Sequence, residues 1–272
     1  MTGKTPKDSH YARLRRQHRA ARTGGKSHTP VTSSEGHIWL YGFHTVETAL
    51  KNPRRKIHRL LMTKNAHARL GLNESDLPCP VELADTKTLD HQLGPEAVHQ
   101  GIMIETEPLA TGKLNNLHDS SLIIVLDQIT DPHNVGAIMR SAVAFKADAL
   151  ITTARHSPQE SGVLAKAASG ALELIEHITV RNLAEALETL HETGFQTLGL
   201  DSENSRPLEL TFSGKQIALV LGAEGKGLRQ KTRQTVSALA CLDMPGAIKS
   251  LNVSNAAAIA LYAAWSYLDH HS

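Results

Sequence analysis

From residue 122 to the C-terminus, short and almost unbroken apolar runs alternate with segments of helical length. Few architectures satisfy that pattern. Leu-Ile-Ile-Val-Leu at 122–126 and Ile-Ala-Leu-Val-Leu at 217–221 have no polar face. A strand that is apolar on both sides must be covered on both sides, which implies an α/β fold with a mainly parallel sheet between layers of helices. Strands are expected at 122–126, 149–151, 197–200, 217–221 and 238–242. Helices are expected at 135–146, 163–169 and 183–191, then a short one from Leu228 and a closing one at 254–268. Asn182 and Glu185 have capping-box spacing before the third helix. Ligands of such sheets bind beyond the carboxyl ends of the strands. The loops after Leu126, Leu200, Leu221 and Leu242 are therefore the ones expected to carry chemistry.

The first part of the chain reads differently. Order is expected to begin at Ile38, with a helix at 45–52 stopped by Pro53, strands at 57–62 and 81–83, a helix at 86–93 and a strand at 101–105. Residues 109–119, polar and without period, suit a linker. Residues 1–35 hold eight Lys and Arg against Asp8 and Glu35 and lack the apolar periodicity that would bury a face, so they are expected to form a disordered basic arm. The expected division is a basic arm at 1–35, a small domain at 36–108, a linker at 109–119 and a larger domain at 120–272. The overall charge of +2 conceals a basic segment on a mildly acidic body. Lysines and arginines on such an arm gain affinity for a polyanion by releasing its counterions, which points to a nucleic acid; a tail that only aids solubility is the other reading. Cys79 and Cys241 are the only cysteines, so no disulfide framework or Cys-x-x-Cys metal site is written here. No apolar stretch approaches the length of a membrane span, and the N-terminus is basic and polar, which makes a cytoplasmic location the expectation.

Three loops carry residues suited to chemistry. In the first, Asp127 to Ala142, Gly136 and Arg140 stand four apart at the start of a helix. Side chains lean toward the helix N-terminus, so Arg140 is expected to reach back over a bare Gly136 surface and add a guanidinium to an anion-binding helix end. Asn134 brings a donor and an acceptor to the same loop. Equally open from the residues alone is Arg140 paired with a surface carboxylate and Asn134 capping the helix. The second loop, Leu219 to Leu228, sets Gly222, Gly225 and Gly227 around Glu224 and Lys226, so the backbone can turn sharply near a ligand. Its G-x-x-G-x-G spacing is neither the dinucleotide fingerprint nor a Walker loop, and a dinucleotide oxidoreductase finds no support. The third, Leu242 to Tyr262, runs through Pro245, Gly246 and Ser250-Leu251-Asn252 into an alanine-rich helix. Its bland reading is a core helix capped by Ser254.

Taken together, Asn134-x-Gly136-x3-Arg140, Gly222-Ala-Glu224-Gly-x-Gly227 and Ser250-Leu-Asn252-Val-Ser254 resemble, in order and separation, the three motifs of the SpoU/TrmH class of SPOUT methyltransferases. The resemblance covers about residues 37–270, because 41–50, Tyr-Gly-Phe-His-Thr-Val-Glu-Thr-Ala-Leu, resembles the opening of the small RNA-binding domain carried by many members. Within the class the chain is most similar to bacterial 23S ribosomal RNA guanosine-2′-O-methyltransferases. The resemblance implies a trefoil-knotted C-terminal domain, an N-terminal L30-like α/β substrate-binding domain, S-adenosylmethionine as cofactor, RNA as substrate and a homodimer, with no metal. By motif position it implies that Leu200, Gly222, Ala223, Glu224, Leu242, Met244, Ser250, Leu251 and Asn252 contact the cofactor, chiefly through backbone. It places Asn134, Arg140, Glu224, Ser250 and Asn252 at the active site. Asn255 and Ala258 depart from the family pattern, in which an apolar residue and a glycine are common.

Methyl transfer from a sulfonium needs in-line alignment and loss of the hydroxyl proton. A guanidinium is effectively always protonated, so Arg140 is assigned to hold the target's phosphate and to lower the effective pKa of its 2′-hydroxyl. Asn134 and Asn252 are assigned to orient the ribose. Glu224 is either a base or a fixture of its loop. Two further readings are a tRNA ribose 2′-O-methyltransferase and an RNA-binding or ribosome-assembly protein that has lost catalysis.

Overall fold

The computed structural model describes residues 36–201 and 205–271; the expected basic arm lies outside them. The first unit is a four-stranded sheet of β1 (Ile38–Tyr41), β2 (Ile57–Met62), β3 (Val81–Leu83) and β4 (Ile102–Thr106), in the order β1-β4-β2-β3. Helices α1 (Phe43–Lys51), α2 (Lys64–Leu70) and α3 (Thr86–Leu93) connect its strands. The strands at 57–62 and 81–83 and the helix at 86–93 stand where the residues place them. Strand β1 was not expected, and a helix between the strands at 57–62 and 81–83 was expected only by its place in the order, without bounds. Helix α2 buries only Ala66, so no apolar period announces it; its ends are set by the Thr63 hydroxyl accepting the Ala66 N–H and by Gly71 in the left-handed region.

The second unit is a seven-stranded sheet made of β5 (Leu122–Asp127), β6 (Ala149–Thr153), β7 (Glu176–Val180), β8 (Gln196–Leu200), β9 (Arg206–Pro207), β10 (Ile217–Gly222) and β11 (Ala238–Cys241). Its order is β7-β6-β5-β10-β8-β11-β9, and every pairing is parallel. Five helices accompany it: α4 (Pro132–Ala144), α5 (Gly162–Ala168), α6 (Leu183–Glu192), α7 (Gln230–Thr235) and α8 (Val253–His270). The two-sided strands do what their composition demands. Leu122, Ile124 and Leu126 enter one core with α4, α5 and α8, while Ile123 and Val125 enter a second core with α6. Residues 217–221 of β10 alternate in the same way between the two cores.

Strand β7 was not expected, because it opens on Glu176 and His177 and only Ile178 and Val180 are buried. Helix α4 begins at Pro132, three residues before the expected start, because Asp131 accepts the His133 N–H and proline fills the first turn. Helix α7 begins two residues later than expected, at Gln230, and Leu228 is instead buried in the second core. None of the described helices is long and apolar enough to cross a membrane.

The two units share one of these cores, in which Leu40, Phe43, Val46 and Leu60 join residues of α4 and α5. Gly162, the first residue of α5, is packed so closely on β1 that a Cβ there would lie 2.5 Å from the Tyr41 ring and 2.6 Å from the Trp39 carbonyl oxygen. Arg55 crosses the junction fully buried, with its guanidinium on Glu173, Glu160 and the Glu107 carbonyl. Residues 109–119 are likewise docked: the Gly112 N–H donates to the His177 carbonyl at 2.8 Å and Leu117 is buried.

Candidate active site

Strands β5, β10, β8 and β11 are consecutive neighbours in the second sheet, so the four loops singled out from the residues leave it side by side. The glycine loop after β10 closes on itself. The Gly227 N–H donates to the Ala223 carbonyl at 2.8 Å, with Gly225 and Gly227 at φ of 76° and 65°. A Cβ on Gly222 would lie 2.1 Å from the Gly227 carbonyl carbon, so glycine is required here for the loop's own packing. Among the described residues nothing lies within 4 Å of a Cβ built on Gly225 or Gly227. Beyond the loop, Leu228 is buried, and Arg229 donates its backbone N–H and its Nε to the carboxylate of Asp127 at 3.1 and 2.6 Å. Asp127, at the end of β5, thus ties the glycine loop to the first motif loop; sequence reasoning assigned it no role.

Three of the expected catalytic residues converge. Asn252 caps α8: its Oδ1 accepts the Ser254 N–H at 2.8 Å and the Ser254 hydroxyl at 2.5 Å. Committing Oδ1 to the cap sets the amide's orientation, so its Nδ2 points the other way. From there Asn252 Nδ2 donates to Glu224 Oε1 at 3.0 Å and to Asn134 Oδ1 at 3.2 Å. Asn134 Nδ2 also donates to Glu224 Oε1, at 2.9 Å. One carboxylate oxygen thereby holds two amides contributed by chain segments 118 residues apart. Asn252, and not Ser254, is the cap of α8; Asp131, and not Asn134, is the cap of α4. The Asp131-Pro132 pair was the legible signal for the latter.

Arg140 does not join this group. It lies six residues beyond Asn134 on α4, about 9 Å along the helix axis, exposed and with no ion pair or hydrogen bond from its guanidinium among the described residues. Among the described residues the surface-carboxylate pairing is therefore not formed. Nor is Gly136 a bare surface for Arg140 to cross. A Cβ there would meet Ala167 Cβ at 2.5 Å and the Leu164 carbonyl oxygen at 2.7 Å, so this glycine serves the close packing of α4 on α5. Asn255 is exposed and Ala258 half-buried, so α8 accommodates both departures from the family pattern.

The expected cofactor residues stand at neighbouring strand ends. Leu200 closes β8, Gly222 closes β10, and Leu242 follows β11; Ala223 and Leu242 are half-buried and Leu200 is level with Ala240. Met244 is half-buried, its carbonyl accepting from Lys249 Nζ at 2.5 Å, while Ser250 and Leu251 are exposed beside the capping Asn252. A glycine loop, three leucines and a fixed carboxylate suit an adenosine group, whose base is flat and apolar and whose ribose offers hydroxyls. The described residues contain one group with the donors of a metal site, His37, His58 and Glu107, whose ligand atoms lie within 4.8 Å of one another. The two imidazole rings of this group stack at 3.9 Å and 19°.

A model described as the SpoU rRNA methylase family matches residues 121–262, over half of the chain's 272 residues. The chain belongs to that family. A second model, for RNA 2′-O ribose methyltransferase substrate binding, matches residues 39–111 of this SpoU family member. The chain is 34% identical over 235 residues to the 23S rRNA (guanosine-2′-O-)-methyltransferase RlmB of Pseudomonas aeruginosa, covering 82% of this chain and 94% of that protein. It is 35% identical over 237 residues to the protein of the same name from Ralstonia nicotianae, covering 83% and 94%. The fold matches that of the SpoU methyltransferase AviRb from Streptomyces viridochromogenes, solved in complex with AdoMet, with a TM-score of 0.73 at 20% identity over 87% of this chain and 92% of that one.

Proposed function

We propose that this chain methylates the ribose 2′-hydroxyl of a guanosine in 23S ribosomal RNA, with S-adenosylmethionine as methyl donor. The observation that carries the reading is the meeting of Asn134, Glu224 and Asn252, one from each motif loop, at the carboxyl ends of β5 and β10 and the start of α8. The relatives named for this reaction on 23S ribosomal RNA favour it over the tRNA and non-catalytic readings. The cofactor, when bound, supplies a methyl group already activated on a sulfonium, and this reading needs no metal. The backbone at Gly222, Ala223, Leu242 and Leu251, with Leu200, Met244 and Ser250 around it, holds the donor. Asn134 and Asn252 orient the ribose, Arg140 holds the phosphate beside it, and Glu224 fixes both amides. The division into an arm at 1–35, an RNA-binding domain of L30-like type at 36–108, a linker and a knotted methyltransferase domain at 120–272 belongs to the same reading. So do a cytoplasmic location and a homodimer, for which exposed Ile259 and Tyr262 on α8 offer an apolar face beside Phe145.

The direct test is mass-spectrometric mapping of 2′-O-methyl groups in RNA from cells with and without the protein. One 2′-O-methylguanosine is expected to disappear from 23S RNA; an unchanged 23S RNA with a mark lost from a tRNA would overturn the substrate. The role of Glu224 is tested separately. Glu224→Gln keeps an acceptor oxygen for both asparagines and is expected to hold kcat within about tenfold, whereas Glu224→Ala should lower it about a hundredfold. Equal losses in the two variants would make Glu224 the base.

A further inference from the structure

Two arginines outside the three motif loops stand on the same rim of the sheet. Arg181 directly follows β7, and Arg155 comes two residues after β6. The two strand ends are locked together: Thr153 pairs with Val180, and the Ala154 N–H donates to the Val180 carbonyl at 2.8 Å. Adjacent strand ends lie about 4.8 Å apart, so the two side chains rise from neighbouring points on the carboxyl rim. Both are exposed, and neither guanidinium has an ion pair or hydrogen bond among the described residues. Arg54, Arg55, Arg59, Arg229 and Arg233, by contrast, are each held by a carboxylate.

The loop that bears Arg155 is shaped at both ends. Near β6 the Thr153 hydroxyl donates to the Arg155 carbonyl at 2.6 Å and lies 3.2 Å from the Ser157 hydroxyl, with His156 in the left-handed region. At its far end Glu160 is bonded to the buried Arg55 of the first unit, Ser161 caps α5, and Gly162 packs on β1. This loop therefore runs from the carboxyl rim to the unit that matches a substrate-binding model. Its starting strand, β6, lies directly beside β5, whose loop leads to Asn134.

We propose that Arg155 and Arg181 form a phosphate-binding track that guides RNA from the N-terminal unit across the β6–β7 rim to the reaction site. The proposal rests on the RNA-methylating function above. Guanidinium forks suit phosphate because two N–H groups can meet two oxygens at once, and because the planar fork is itself pre-organised, less freedom is lost per bond formed. The backbone being gripped is common to all sequences, so the track contributes affinity and direction, with no base selectivity.

The test uses the full chain, an unmodified 23S RNA transcript and S-adenosylmethionine. The double variant Arg155→Ala/Arg181→Ala is expected to bind the transcript about tenfold or more weakly. The slope of log affinity against log salt should become shallower by about 1 per lost phosphate contact, hence by about 2. Affinity for S-adenosylmethionine and kcat at saturating RNA should stay unchanged while KM for RNA rises. The double lysine variant should recover the salt slope and only part of the affinity, because lysine restores charge without the fork. An alanine variant with wild-type RNA affinity and salt slope would overturn the track. Wild-type protein that bound the transcript but methylated none of it would overturn the function, and the slopes would still decide the track. Wild-type protein that bound no RNA would overturn both.

Discussion

Replacing Arg140 with alanine is expected to lower kcat/KM for methyl transfer by about a hundredfold to a thousandfold, in the range seen when one group aimed at developing charge is removed. Affinity for S-adenosylmethionine should not change. The separation of these effects follows from geometry. The glycine loop, Leu242 and the Asn134–Glu224–Asn252 group are held by their own hydrogen bonds, none of which involves Arg140. Arg140 itself is exposed and without a partner among the described residues, so its removal breaks nothing that folds the protein. Thermal stability should move little. Arg140→Lys should recover only part of the loss, because an ammonium cannot clasp a phosphate with two parallel bonds. Single-turnover assays with calorimetric titration of the cofactor separate the two quantities. Near-normal transfer by Arg140→Ala would remove Arg140 from the active site.

The largest effect on stability is expected at Arg55. Its side chain is fully buried and bonded to Glu173 through two nitrogens, to Glu160 Oε1 at 2.5 Å and to the Glu107 carbonyl at 3.0 Å. Burial pushes the Glu160 carboxyl above its ordinary value, and Arg55 pulls the other way. Arg55→Ala leaves two sheltered carboxylates without their cation, which costs about 3–5 kcal/mol by comparison with other broken buried pairs. Asn52, which donates to Glu173 at 2.7 Å, replaces only a fraction of that. The two units meet through this cluster, and Glu160 ends the loop that bears Arg155. The variant should therefore also weaken RNA binding while leaving cofactor affinity close to wild type. Denaturant unfolding measures the first effect, and a loss under about 1 kcal/mol would show that the cluster is replaceable by water.

How much of this was legible before folding depends on the range over which each feature is specified. The two-sided strands, the helices between them and the ends of β2, β3 and α3 follow from local composition, because burial on both faces leaves no place for a polar residue. Strand β7 was hidden by its polar start, and the bounds of α2 by its having a single buried residue. Of the site, the identities of Asn134, Glu224 and Asn252 were readable from motif spacing, yet nothing local states that one carboxylate oxygen would hold both amides. That contact joins residues far apart in the chain and exists only because β10 lies beside β5. The roles of Gly136 and Gly222 changed for a similar reason. From the chain alone each reads as room for a ligand or a neighbouring side chain; in the fold each is filled, by the Ala167 side chain and the backbone of α5 at Gly136 and by the backbone of the glycine loop itself at Gly222. Composition and the period of the apolar runs were enough for the α/β class, and the three motifs were enough for the resemblance to the SpoU class and for the residues available for chemistry, because each is written within short stretches of chain. Which of them touch, and that Arg155 and Arg181 share a rim, emerged with folding, because those facts depend on strand order, which local patterning does not encode.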